Sequence, residues 1–150
     1  MSIQGVKGGE IGDGFREARR VGTQAHDHFV VVEGELSRVT NRAGGLEGGV
    51  SNGQPIVVRA AMKPISTTLA PQRSVDMVTG QASLARYQRS DICAVPAAEV
   101  IGEAMVALVL ASALLDKFGG DSLDDIRVAI TRYRQRSAYW LRPGAESPMA

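Results

Sequence analysis

A chain of 150 residues, 44% of them apolar, is long and apolar enough to bury a core, which excludes a wholly disordered protein. A net charge of +1 gives no bulk field of the kind that marks nucleic-acid or membrane binders. The single cysteine, Cys93, excludes an internal disulfide and favours a reducing compartment. The first residues lack the apolar region of a signal peptide, and the longest apolar run, Ala104 to Leu115, is predicted to be too short for a bilayer. We therefore expect a soluble, cytoplasmic protein with neither nucleic acid nor membrane as a partner.

The first half of the chain predicts short strands separated by glycine-rich turns. Residues 3–11 indicate a strand that is broken by Gly8 and Gly9, and a turn with a short charged helix or loop follows over 12–20. The remaining predicted elements are, in chain order, a strand over 29–32, a turn at Gly34-Glu35 into a second strand through Leu36 and Val39, a loop over 43–53, a strand over 54–62, and an ordered polar excursion over 66–74.

Two helices are predicted in the second half. The first runs from Pro96 to Phe118, because proline suits a first helical turn and Gly119-Gly120 supplies a stop. Its apolar residues surround nearly the whole helix, which predicts burial on nearly all sides, yet this short chain offers little to cover it. The second helix begins near Ser122, which forms a capping pattern with Asp125, and is predicted to end before residues 142–144.

Glycines cluster between Gly44 and Gly53, which indicates either a flexible linker or a backbone that must approach something closely. A P-loop is excluded because Val50 stands where its lysine is required. The loop could still present N–H groups to a phosphate or a flavin edge, and a plain tight turn is the alternative. Residues 49–53 also match the G-x-S-x-G pattern of hydrolases, but a glycine loop precedes the serine and a strand follows it, so a nucleophile elbow is not expected.

The segment His26-Asp27-His28 could suggest a metal site, but a catalytic zinc needs three protein ligands and no third lies in a ligand-like pattern. We expect solvated histidines and no metal. Five arginines and no acid lie between Arg127 and Arg142, which favours a solvated helix face over a nucleic-acid contact.

Arg89-Ser90-Asp91 places a guanidinium beside a carboxylate just before the long helix. Such a pair can bind an anion while holding a proton acceptor nearby. A surface ion pair or a helix cap would have the same sequence pattern, so the residues alone leave both interpretations open.

Taken together, four segments of the chain resemble the chorismate synthase family. They are VKGGEIGDGF over 6–15, TNRAGGLEGGVSNGQPIVVRAA over 40–61, MKPIST over 62–67, and RSDICAVPAA over 89–98 with Glu103-Ala104-Met105. The likeness runs with gaps from Ser2 to about Leu123, and Gly9, Arg42 and Ile92 depart from the usual residues. Family members are more than twice as long, so we expect residues 1–126 to be a carboxy-terminal part of such an enzyme and 127–150 to be a divergent basic helical tail.

The resemblance implies an FMN-dependent lyase that removes phosphate from 5-enolpyruvylshikimate 3-phosphate by 1,4-anti elimination, giving chorismate. It implies an α+β fold in which antiparallel sheets sandwich helices, and a homotetramer. The implied residues for reduced FMN are Gly48, Lys63, Pro64, Ile65, Ser66, Thr67 and Arg89; Arg89 would also bind substrate, and Asp91 would be catalytic. His26 and His28 match neither catalytic histidine of the family. The alternatives are a truncated product without enzymatic function and a stand-alone flavin- or anion-binding module.

Overall fold

A computed structural model describes residues 1–88 and 93–140 as a mixed α+β chain. The described strands pair two by two, always antiparallel, and two long helices follow them. The elements are β1 Val6–Ile11, α1 Gly14–Glu17, α2 Gly22–Ala25, β2 Phe29–Val32, β3 Glu35–Arg38, β4 Leu46–Glu47, β5 Val50–Ser51, β6 Val58–Met62, β7 Arg73–Val75, β8 Ala82–Leu84, α3 Val95–Phe118 and α4 Leu123–Trp140. The α+β class is confirmed.

The longest-range strand pair joins β1 to β6 and corrects two sequence predictions. β1 continues through Gly8 and Gly9, because both pair with alanines of β6 and neither has a left-handed φ. The irregularity lies between Val6 and Gly8 instead. β6 begins at Val58 and not at residue 54, because Pro55 has no N–H for a ladder and its carbonyl accepts a hydrogen bond from the side chain of Asn41.

Two hairpins flank the glycine-rich segment. β2 and β3 pair as predicted, but their turn is centred on Glu33 and Gly34, whose φ angles of 52° and 83° are those of a type I′ turn. β7 and β8 form a hairpin that the sequence did not predict, because the polar composition around Pro71 indicated only an ordered excursion. Asp76 orders its tip by accepting hydrogen bonds from the N–H groups of residues 78 and 79.

The helix predictions are confirmed at the ends that the structure describes. α3 stops at Gly119, which has a φ of 53° and donates its N–H to the carbonyl of Leu115. At the start of α4 the N–H of Asp125 donates to Ser122 Oγ at 3.2 Å, so the predicted cap is present. The two helices meet where Phe118 and Tyr133 pack edge to face, with ring centroids 5.5 Å apart.

The predicted burial of α3 is not provided by the described residues. No residue of α3 is buried, and Leu108, Val109 and Leu110 are 64%, 66% and 41% exposed. Ile126 of α4 is the one buried apolar side chain among the described residues. The sheets therefore do not sandwich the helices within this part of the chain.

The helix α3 is longer than the apolar run that was predicted to be too short for a bilayer. The run from Ala104 to Leu115 contains Ser112 and makes up only part of the helix, which has 24 residues. At 1.5 Å per residue it is about 36 Å long, which exceeds the hydrocarbon thickness of a bilayer. By length and composition alone α3 qualifies as a membrane span.

Candidate functional site

The glycine-rich loop packs back to back against the turn that ends β1. A Cβ on Gly12 would lie 2.0 Å from the carbonyl oxygen of Arg42 and 2.5 Å from the nitrogen of Gly44. A Cβ on Gly44 would in turn lie 2.3 Å from the nitrogen of Gly12. Gly12 and Gly44 have φ angles of 59° and 63°, so both the contact and the backbone conformation require glycine. The predicted close backbone approach is therefore present, but it is made to the chain itself.

The N–H groups of the central glycines are used inside the loop. Gly44 donates to the carbonyl of Asn41 at 3.2 Å, and Gly45 donates to the side-chain oxygen of Asn41 at 2.9 Å. The same side chain donates to the carbonyl of Pro55 at 2.9 Å. These two glycines consequently have no N–H to offer an anion, which corrects that part of the prediction.

Gly48 lies at the exposed tip of the loop, in the two-residue turn between β4 and β5. Gly48 and Gly49 have φ angles of 57° and 81°, as a type I′ turn requires. A Cβ on either residue would meet no atom within 4 Å. The turn therefore requires these glycines for its conformation and leaves open space around both of them. Ser51 lies on β5 directly after this turn, so the serine is on a hairpin strand and not on a strand-to-helix elbow.

The stretch from Lys63 to Thr67 follows β6 directly. The N–H of Lys63 donates to the carbonyl of Gly5 at 2.8 Å, which extends the β1–β6 pairing by one bond. The residues beyond it are irregular: Lys63, Pro64 and Ser66 are exposed, and Ile65 and Thr67 are half-buried. No hydrogen bond or ion pair within residues 1–88 joins this stretch to Gly48. Arg89, Asp91 and the departure at Ile92 lie outside the described residues.

The sequence did not predict the structural role of Asp27. Its side chain is buried, with 6% exposure, and both carboxylate oxygens accept hydrogen bonds. The donors are Thr40 Oγ1 and the N–H groups of Arg42 and Ala43, the last two at 2.8 and 2.9 Å. Burial alone raises the pKa of this carboxyl, but the hydrogen bonds it accepts outweigh burial and hold that pKa below its ordinary value.

The neighbours of Asp27 do not form a metal site. His26 and His28 are exposed, and no group of three or more potential ligands is found among the described residues. The buried carboxylate of Asp27 instead binds residues 40–43 at the start of the glycine-rich loop. No local sequence signal identifies this role, because the donors lie 13 to 16 positions further along the chain.

A second anchor holds the β4–β5 hairpin. Arg38 and Glu47 meet at two points, with distances of 2.6 Å from Nη2 to Oε2 and 3.3 Å from Nη1 to Oε1. Glu47 Oε2 also accepts a hydrogen bond from the side chain of Asn52 at 2.8 Å. The Arg38 guanidinium lies 4.1 Å above the ring of Phe29, so β2 and β3 carry the anchor.

A third charged cluster surrounds the turn after β1. Arg20 pairs with Asp13 at 2.7 Å and also with Glu17. Arg59 approaches Glu10 and Asp13 at 3.7 and 3.8 Å, and the hydrogen bond from Arg20 holds the pKa of Asp13 below its ordinary value. All of these carboxylates are paired within the chain, so the cluster is structural.

The described arginines of α4 are solvent-exposed, as expected. Arg127 pairs with Asp124 at 3.2 Å, and both side chains are largely solvent-exposed. The Arg136 guanidinium and the Lys117 ammonium lie 5.7 and 4.1 Å from the ring of Tyr133.

Comparison with known proteins gives one consistent family. A family model described as chorismate synthase matches residues 1–115. The chorismate synthase of Corynebacterium efficiens is 60% identical over 91% of this chain and 33% of its own length. That of Mycobacterium avium is 59% identical over 97% of the chain and 36% of its own length, so this similarity continues into α4. A crystal structure of chorismate synthase superimposes with a TM-score of 0.71 at 46% identity, covering 91% of this chain and 34% of that one. The chain spans about a third of the length of these relatives.

Proposed function

Because the chain belongs to the chorismate synthase family, we propose that it serves as the carboxy-terminal third of an enzyme that converts 5-enolpyruvylshikimate 3-phosphate to chorismate and phosphate. The observation that carries the proposal is the family match over residues 1–115, which contains the Gly48 turn, the 63–67 stretch, Arg89 and Asp91. The reaction is a 1,4-anti elimination without net oxidation.

The residues present fit the reduced FMN that this family uses. The Gly48–Gly49 turn is exposed and has open space on both glycines, which leaves room for a flat ring system. Lys63 and Ser66 are exposed beyond β6, so an ammonium and a hydroxyl are accessible to a phosphate or a flavin edge. Reduced FMN, when bound, supplies transient electron density, and the protein supplies position and field.

We assign the roles as follows. Gly48 would lie against the cofactor, and the stretch Lys63, Pro64, Ile65, Ser66 and Thr67 would bind it, with Lys63 and Thr67 donating hydrogen bonds. Arg89 would hold both FMN and the anionic substrate through its planar guanidinium. Asp91 would handle a proton near the site. The positive side chains would also stabilise the departing phosphate.

The bare surface of α3 supports the larger architecture that this proposal requires. Such an apolar helix with no buried residue needs cover from other chain segments. We propose that the complete enzyme is a sandwich of antiparallel sheets around helices, with α3 in its interior and not in a membrane. A homotetramer and a cytoplasmic location belong to the same proposal, and the division of the chain at residue 126 stays a prediction.

The cofactor assignment of Gly48 has a matched control in Gly49. We define the joined enzyme as the amino-terminal two thirds of the Mycobacterium avium chorismate synthase fused to this chain in place of its matching third. Alanine at either glycine costs about 1–2 kcal/mol of strain, because both have left-handed φ angles. Only Gly48→Ala should also weaken FMN binding, by about tenfold or more, since its methyl group would enter the cofactor's space.

The measurement is titration of FMN fluorescence with each variant, beside its thermal midpoint. An equal loss of FMN affinity in Gly48→Ala and Gly49→Ala would show that FMN binding depends on the conformation of the turn and not on a direct contact with Gly48. Unchanged affinity in both would remove Gly48 from the site.

A further inference from the structure

Asp27 cannot serve the reaction directly, because the chain's own donors occupy both of its oxygens. Burying a carboxylate costs free energy unless hydrogen bonds compensate for the lost water. The hydrogen bonds that Asp27 accepts compensate for its burial and at the same time constrain the backbone that donates them. The constrained backbone is that of residues 40–43, which lie 13 to 16 positions further along the chain. Asp27 thereby fixes where the glycine loop begins.

Arg38 connects Asp27 to the part of the loop that contains Gly48. Its Nη1 donates to the backbone carbonyl of Asp27 at 3.3 Å, and its two-point contact with Glu47 reaches the residue that precedes Gly48. The Arg38 side chain is 12% exposed and that of Glu47 39%, so the guanidinium, rather than the whole pair, is shielded from solvent.

The Gly48–Gly49 turn does not by itself fix the direction in which the tip of the β4–β5 hairpin points. β4 and β5 pair through only two residues each, and an isolated hairpin of this size is marginal in water. No atom within 4 Å would contact a side chain at Gly48 or Gly49. The orientation of the tip therefore depends on contacts at the base of the hairpin.

We propose that Asp27, Arg38 and Glu47 form a loop clamp, whose function is to hold the Gly48–Gly49 turn at the position where it meets FMN. The inference rests on the proposed function, and it assigns positioning roles to three residues outside the expected cofactor-binding segments. The clamp acts through the loop backbone and touches neither cofactor nor substrate.

The test compares conservative variants of the joined enzyme. Arg38→Lys keeps the charge but loses the two-point contact, and Glu47→Gln keeps the size but loses the charge. Asp27→Asn places an NH₂ group against the N–H of residue 43, where the carboxylate accepted a bond. Each variant should weaken FMN binding by about tenfold, while kcat at saturating FMN stays near the parent value.

Two control variants separate positioning from loss of stability. Ile126→Ala removes a buried side chain of α4 and should lower the thermal midpoint without changing the Kd for FMN. Asp124→Asn breaks an exposed ion pair and should change neither quantity. If one clamp variant does not fold, the other two still test the inference.

The outcomes are distinct. The clamp would be overturned if Arg38→Lys and Glu47→Gln bind FMN as tightly as the parent. It would also be overturned if Ile126→Ala, at a thermal midpoint equal to that of the clamp variants, loses as much FMN affinity as they do. A parent joined enzyme that does not bind FMN would instead overturn the proposed function, and the clamp with it.

Discussion

The contact between Gly12 and Gly44 predicts that a single methyl group should disrupt the centre of this chain. In Gly12→Ala the new carbon would lie 2.0 Å from the carbonyl oxygen of Arg42, well inside ordinary van der Waals contact. Both partners are backbone atoms, so no side chain can rotate away. The same carbonyl accepts the N–H of Asp13 at 2.7 Å, and Gly12 donates to the carbonyl of Val57 at 2.8 Å.

The expected cost follows from these contacts. A left-handed φ costs a non-glycine residue about 1–2 kcal/mol. Separating the two backbone segments by more than about 1 Å would break two backbone hydrogen bonds, each contributing about 0.5–1.5 kcal/mol. Together with the backbone strain, the loss in the free energy of unfolding should total about 2–5 kcal/mol. Domains are typically stable by only about 5–15 kcal/mol, so this loss would be a substantial share of the total stability.

Urea unfolding of the joined enzyme measures this effect, with Gly8→Ala as the control. Gly8 lies in β1 without a left-handed φ, and a Cβ there would meet the Ala61 methyl group at an ordinary 3.8 Å. That variant should be unchanged or more stable by about 0.5–1 kcal/mol. If Gly12→Ala unfolds at the same urea concentration as Gly8→Ala, the reasoning about the packed loop is refuted.

The remaining predictions concern Arg89, Asp91 and the acid range. Arg89→Lys should weaken both FMN and substrate binding because it loses the planar two-point contact, and unchanged Kd values in fluorescence titrations would contradict the assignment. Asp91→Asn should lower kcat strongly at a near-normal thermal midpoint, whereas a collapsed midpoint with normal turnover of the folded fraction would make Asp91 a structural cap. Hydrogen bonds in the folded state hold the pKa of Asp27 below its ordinary value. The stabilisation that the ionised Asp27 provides is therefore complete above the unfolded pKa of about 3.9. It is lost as the pH falls through the lower folded pKa. The stability difference between the parent and Asp27→Asn should therefore be constant from about pH 6 to 8 and shrink in acid, and a difference that persists unchanged below about pH 3 would argue against this role.

The sequence predicted those parts of the fold that local chemistry determines. The proline and glycine that predict the ends of α3 lie within a residue of the observed ends. Two apolar runs around a glycine predict the β2–β3 hairpin. β1 and β6 were recognised as strands, but their pairing joins residues about 50 positions apart and no local pattern reports it. The β7–β8 hairpin is exposed on both faces, so it lacks the alternation that identifies a half-buried strand.

The candidate site divides in a similar way. Gly48 and Lys63 through Thr67 were identified through the resemblance to a family, since a glycine turn and a polar stretch after a strand are common in many proteins. The role of Asp27 could not be predicted, because its partners Thr40, Arg42 and Ala43 become neighbours only when the loop folds. The Arg38–Glu47 pair spans nine residues across a turn of unpredictable shape and was missed for the same reason.

Phosphate release from 5-enolpyruvylshikimate 3-phosphate, assayed with reduced FMN under anaerobic conditions, tests the central claim most directly. The assay compares the joined enzyme with the 150-residue chain alone. We expect turnover by the joined enzyme. The isolated chain should show no turnover and little FMN binding, and its exposed α3 should cause self-association in sizing chromatography. A folded joined enzyme without activity would contradict the proposed function. Tight FMN binding by a monomeric isolated chain would identify a stand-alone flavin-binding module instead.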